Sequence, residues 1–185
     1  MDKEVKEIIN LGKDSIVQLA LELIDEEVST QNFTKINVMT NGEEVYVSLR
    51  NPIKYLPIKS IFNFDIGISI LAKTVVYNPI SNGVFDDEHK APFYERTNEI
   101  DKNIEFVIES INKSTEVGSI NTIDFDDDMI IQEHKNHYDV SLISKFQESS
   151  YKIEKLSGKI YDAQHAHLVP SPLEGQQKDK WKEIN

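Results

Sequence analysis

Between Met129 and Val169 the chain alternates apolar and polar residues with little interruption: MIIQEHKNHYDVSLISKFQESSYKIEKLSGKIYDAQHAHLV. A period of two marks strands with one buried face, so this stretch predicts a four-strand antiparallel meander. A two-residue turn at Lys135-Asn136 sets Met129 opposite Leu142, Ile131 opposite Val140 and Glu133 opposite Tyr138. Both strands then keep their apolar residues on one side. A second reversal is expected near residues 147–150, after which Tyr151 and Ile153 return on that side. A third, at Ser157-Gly158, sets Ile153 opposite Tyr161 and Tyr151 opposite Ala163.

Earlier in the chain the period changes. Residues 2–29 place Val5, Ile9, Gly12, Ile16, Leu19 and Leu23 at spacings of three and four, an amphipathic helix. Gly12 within it marks either a close approach to another element or a break into two helices. Thr34 to Leu49 reads as a hairpin closed by Asn41-Gly42, the preferred two-residue turn pair. That turn sets Val38 opposite Val45, Ile36 opposite Val47 and Thr34 opposite Leu49. Asn51-Pro52 and Leu56-Pro57 then break the chain into a loop. Phe62, Phe64, Ile66, Ile68, Ile70 and Ala72 alternate, and the apolar run continues to Tyr77. One strand of that length is expected to bend, at Gly67 or near Lys73.

A polar loop runs from Asn78-Pro79 to about Pro92. A second helix is predicted over Phe93 to Lys113, carrying Thr97, Ile100, Ile104, Val107 and Ile111 at helical spacing. Residues 114–128 return to the sheet, with a short strand around Ile120 to Phe125. After Val169, Pro170-Ser171-Pro172 open a polar tail in which Trp181 and Ile184 either dock a last helical turn or remain loose. The expected fold is therefore α+β: one curved antiparallel sheet of about seven strands covered by two amphipathic helices. The order is α-β-β-β-α-β-β-β-β, in a single domain over residues 1–169, with residues 170–185 as tail.

Composition narrows the chemistry. The 185 residues are long enough for a full core, and 39% hydrophobic against 28% charged excludes global disorder. Cysteine is absent, which removes disulfides, zinc thiolates and thiol nucleophiles. No apolar stretch reaches the ~18 residues of a membrane span, and the opening MDKEVKEI is unlike a signal peptide, so a cytoplasmic protein is expected.

The net charge of -12 is uneven. Residues 1–30 carry 3 basic and 8 acidic side chains, and residues 81–128 carry 4 and 13. Such a field disfavours nucleic-acid backbones and anionic membranes and favours a basic protein partner. Asp86, Asp87, Glu88, Asp124, Asp126, Asp127 and Asp128 are the carboxylates expected to meet that partner. Solubility alone is the plainer account of the same acids.

Histidines supply the other chemistry. His165 and His167 lie two apart on a predicted strand, so both point to one face and are candidate metal ligands. The H-x-H core is shared with the cupin metal motif, but that motif has Gly six residues before the first His and Glu four to five after the second. Here Gly158 is seven before His165 and Glu174 seven after His167, so the pattern fails at both ends. His134 and His137 flank the predicted turn and face each other across it.

Asp124, Asp126 and Asp128 alternate as in a calcium loop, yet Met129 and Lys135 stand where an EF-hand needs Gly and Glu. No nucleophile elbow, P-loop, zincin or dinucleotide fingerprint is present. The sequence thus favours a non-catalytic protein-binding module without a cofactor, of the kind seen in bacterial immunity or inhibitor proteins and acidic secretion chaperones. The competing readings are an enzyme or metal-binding protein using the C-terminal histidines, and a subunit of a larger assembly.

Overall fold

The computed structural model describes residues 2–24, 28–58, 61–81, 90–91, 97–114, 128–144, 147–167 and 181–184. The protein is α+β, built on two antiparallel-rich sheets rather than the single sheet of about seven strands that alternation suggested. The chain divides into two compact units. The first comprises Met1–Asn51, Asn63–Pro79 and Pro170–Asn185; the second comprises Pro52–Phe62 and Ile80–Val169.

The first unit opens with two helices where the periodicity predicted one, α1 (Lys3–Ile9) and α2 (Lys13–Glu22). The break is Gly12, at φ +81, with no atom within 4 Å of where a Cβ would stand. Its role is backbone freedom at the N-cap of α2, not close approach. Val5, Ile16, Val17 and Ala20 are buried, α1 meets the second strand of the following hairpin, and α2 meets both of its strands.

That hairpin is β1 (Lys35–Thr40) and β2 (Val45–Arg50). Its register differs from the expected one by two residues: Val38 faces Val47, Ile36 faces Leu49 and Thr40 faces Val45. The loop is four residues long, because Asn41 Oδ1 accepts from the backbone N–H of Glu43 and Glu44 (2.9 and 2.8 Å). Thr40 Oγ1 donates to the Glu44 carbonyl and accepts from Gly42 N–H. A side-chain-mimicked turn thus replaces the two-residue one.

The long alternating run is two strands, β4 (Ile61–Ser69) and β5 (Thr74–Ser81), with a reversal between them near Lys73, which sits at φ +50. Gly67 is no bend. A Cβ there would collide with Tyr46 Oη at 1.8 Å, so glycine makes room for the tyrosine laid across it. Near the C-terminus Lys182–Glu183 form a two-residue strand, β11, on β1, with Ile184 N–H donating to the Val38 carbonyl. Trp181 meets Tyr46 edge to face at 5.9 Å, so this end docks as strand rather than as helical turn. The sheet order is β11-β1-β2-β4-β5, with β6 (Lys90–Ala91) pairing in parallel with the start of β4.

The second unit contains β3 (Ile53–Leu56), α3 (Asn98–Lys113), β7 (Asp128–Glu133), β8 (His137–Ile143), β9 (Gln147–Glu154) and β10 (Ile160–His167). The sheet runs β10-β9-β8-β7-β3. The segment 53–56, expected to be loop, is a strand parallel to β7, and the Pro52 carbonyl accepts from Met129 N–H at 2.8 Å. Pro52 and Pro57 lie just outside it, where missing N–H groups cost no ladder bond.

The β7–β8 register is the expected one, with Met129 facing Leu142, Ile131 facing Val140 and Glu133 facing Tyr138. Val140 faces Tyr151 and Tyr138 faces Ile153, so β9 returns on the expected side although its reversal comes earlier, after Ser144. Between β9 and β10 the pairing starts one residue off the expected one: Ile160, not Tyr161, faces Ile153. A bulge with Asp162 at φ +54 then shifts the register, so that Gln164 faces Ser150 and His165 faces Ser149, as the expected pairing implies.

One core sits between this sheet and α3, where Ile104, Val107 and Ile111 meet Tyr55, Met129, Ile131, Tyr138, Val140, Tyr151, Ile153 and Ile160. Each large apolar side chain buried there contributes roughly 1.5–3 kcal/mol. Helix α3 starts five residues later than periodicity suggested. Thr97 caps it, its Oγ1 accepting from Ile100 N–H at 3.3 Å, instead of belonging to the apolar stripe. The strand expected at 120–125 lies outside the described residues. Three α-helices are present among the described residues, and none is long and apolar enough to cross a membrane.

Candidate functional site

Among the described residues, the β7–β8 turn brings together a group of three metal-ligating side chains. Its two-residue loop, Lys135-Asn136, is closed by His134 N–H donating to the His137 carbonyl at 2.9 Å. This places the two imidazoles across from each other, stacked with centroids 4.6 Å apart and planes 12° from parallel. Asp139 follows His137 by two residues on β8, so it points to the same face of the strand. Its Oδ2 lies 3.0 Å from His134 Nε2, and its Oδ1 lies 3.3 Å from His137 Nε2. His134 Nε2 and Asp139 Oδ1 are shut off from solvent, yet neither makes a hydrogen bond.

The surroundings are polar and charged. Tyr161 presents its ring edge-on to His137 at 6.3 Å. Lys152, across the β8–β9 ladder from Asp139, donates to Asp162 Oδ2 at 2.7 Å. Asp162 raises the Lys152 ammonium above its ordinary range, with a smaller contribution from Asp139, and the same contact lowers the Asp162 carboxyl. Tyr138, beside His137 in sequence, points to the other face and is buried against α3. Burial first, and the Glu133 carboxylate second, push its phenol above the usual range. Tyr55 is driven up more strongly by the same two causes, while Asn103 donates to its hydroxyl at 3.0 Å.

His165 and His167 lie on β10 and are exposed. His165 Nδ1 is 2.9 Å from Ser149 Oγ, and its ring meets Tyr151 edge-on at 5.7 Å. Among the described residues, the group of three or more His, Asp or Glu ligands that comes within 4.8 Å is His134, His137 and Asp139, which includes neither of them. Asp139 escaped the sequence reading. Its signal was the spacing His137-x-Asp139, the same two-residue period used for His165 and His167.

Of the seven expected partner-facing carboxylates, Asp128 opens β7 and pairs with Lys54 Nζ at 3.0 Å, the lysine being 2% exposed. Asp86, Asp87, Glu88, Asp124, Asp126 and Asp127 lie outside the described residues. The described part of the acidic region is α3, whose exposed residues include Glu99, Glu105 and Glu109. Lys113 donates to Glu109 at 2.7 Å and holds its carboxyl below the ordinary value. A groove of about 340 Å³ runs beside the C-terminal end of α3, lined by Phe106, Ser110, Lys113, Ser157 and Lys159 among others.

The chain matches no protein-family model, no curated protein and no solved structure at a significant level of similarity.

Proposed function

We propose that the protein is a non-catalytic binding module that engages a basic protein partner through an acidic surface, as immunity proteins, inhibitors and acidic secretion chaperones do. The observation that carries this reading is the concentration of charge: residues 81–128 hold 13 acidic and 4 basic side chains. The exposed Glu99, Glu105 and Glu109 of α3 belong to that stretch. A localised negative field speeds encounter with a cationic surface and rejects anionic ones.

The test is an affinity capture from the source cells at low and high salt. The bait is wild type or a variant with Asp86, Asp87, Glu88, Asp124, Asp126 and Asp127 changed to their amides. Asp128 stays in place because it neutralises Lys54. The expected result is a basic partner held at low salt, released at high salt and lost by the variant. Capture of nothing by wild type at either salt, or of the same protein by both baits, overturns the proposal.

A further inference from the structure

We propose that His134, His137 and Asp139 form a binding site for one divalent transition-metal ion of the zinc type. The site stands independently of the acidic-surface reading. Donor atoms of the three side chains lie within 4.8 Å of one another. The carboxylate oxygens of Asp139 sit 3.0 and 3.3 Å from the two Nε2 atoms. Ligands about 2.0–2.2 Å from a tetrahedral ion are roughly 3.3–3.6 Å apart, close to the spacings between Asp139 and the two imidazoles.

A second observation points the same way. Although their side chains are 36% and 40% exposed, the His134 Nε2 and Asp139 Oδ1 atoms are themselves shielded from solvent and make no hydrogen bond. Buried polar atoms of this kind are costly when unpartnered, and an ion between them satisfies both. The donor set selects the ion. Two imidazoles and one carboxylate suit zinc, nickel, cobalt or iron, whereas calcium and magnesium prefer oxygen donors alone. Three protein ligands leave a fourth position for water.

The backbone is already in place, since the turn is tied by the His134 N–H bond to His137 and Asp139 is fixed by the β7–β8 ladder. The imidazoles are not. The lone pairs of nearly parallel rings lie in nearly parallel planes that do not meet at one ion, so capture rotates at least one ring out of the stack. Lys152 lies across the ladder from Asp139, and its ion pair with Asp162 offsets the repulsion it would exert on the metal.

The experiment titrates zinc alone into the chelator-treated full chain by calorimetry, with His134→Gln, Asp139→Asn and the double change His165→Ala/His167→Ala beside wild type. Wild type is expected to take up one equivalent. Each of the first two variants should bind at least about tenfold more weakly, while the double variant binds like wild type. Zinc should also shift the imidazole resonances of His134 and His137 in wild type, a readout that needs no variant to fold. The absence of saturable uptake by wild type overturns the site. So does uptake lost only with His165 and His167, or resonance shifts confined to those two.

Discussion

The β1–β2 and β7–β8 hairpins close in opposite ways. The first has a four-residue loop fastened by side chains. Asn41 and Thr40 engage backbone groups of Gly42, Glu43 and Glu44, and the Glu44 carboxylate accepts from Val45, Leu71 and Ala72 N–H (2.8, 2.9 and 3.1 Å). The second has a two-residue loop fastened by backbone. His134 N–H reaches the His137 carbonyl, and the Asn136 carbonyl accepts from Lys155 N–H at 3.0 Å. A loop held by side chains takes its length from what those side chains can reach. A loop held by its strands takes its length from cross-strand matching, here Met129 with Leu142 and Ile131 with Val140.

The contrast has a functional side. Because the second loop needs few side chains to hold it, His134 and His137 are left to face Asp139. In the first loop the polar side chains are consumed by the turn.

The sharpest way to break the comparison is to remove the outer support of β7. Lys54→Ala leaves Asp128 without its buried counter-charge at the start of that strand. The change is expected to cost about 2–3 kcal/mol in denaturant unfolding, from the lost charged hydrogen bond and the lost packing of the lysine stem. A loss under about 1 kcal/mol would mean that the ion pair contributes little.

Next comes the side-chain latch of the first loop. Burial opposes ionisation of Glu44, but hydrogen bonds from the Ser69 side chain and from the Leu71, Val45 and Ala72 N–H groups outweigh it and hold the carboxyl below 4.5. Because the folded value is the lower one, the stabilisation is full above the unfolded value and fades as pH falls through the folded one. Glu44→Gln should cost about 1–2 kcal/mol at pH 7. The gap from wild type should narrow on acidification below pH ~4.5, as melts across that range would reveal.

The smallest effect is expected at the second turn. Lys73 and Asp162 are the non-glycine residues with positive φ among those described, so Asn136 is not left-handed. Asn136→Gly should therefore weaken the fold by about 0.5 kcal/mol instead of improving the turn. A gain in melting temperature would show that the turn carries left-handed strain after all.

Hydrophobic period was enough to place the two faces of β1, β2, β7, β8 and β9, the helical character of 3–22 and of 98–113, and the register of β7 with β8. It specifies pairing only modulo two. Hence Val38 opposite Val45 and Val38 opposite Val47 bury the same residues, and the Asn41 side chain decided between them. It also does not count sheets. Four residues between two prolines carry too little pattern to announce a strand, yet Lys54, Tyr55 and Leu56 are buried because β3 lies beside β7.

At the histidines, the sequence by itself determined that His134 and His137 flank a turn and that His165 and His167 share a face. Only tertiary structure decided that the turn pair gains a carboxylate from β8. Strand spacing puts residues on one side, but convergence of side chains depends on the turn and on the neighbouring strands. In the same way, the bulge at Asp162 is a backbone event to which no side-chain period responds, and it separates the Ile160–Ile153 pairing from the expected register, which resumes at Gln164 opposite Ser150.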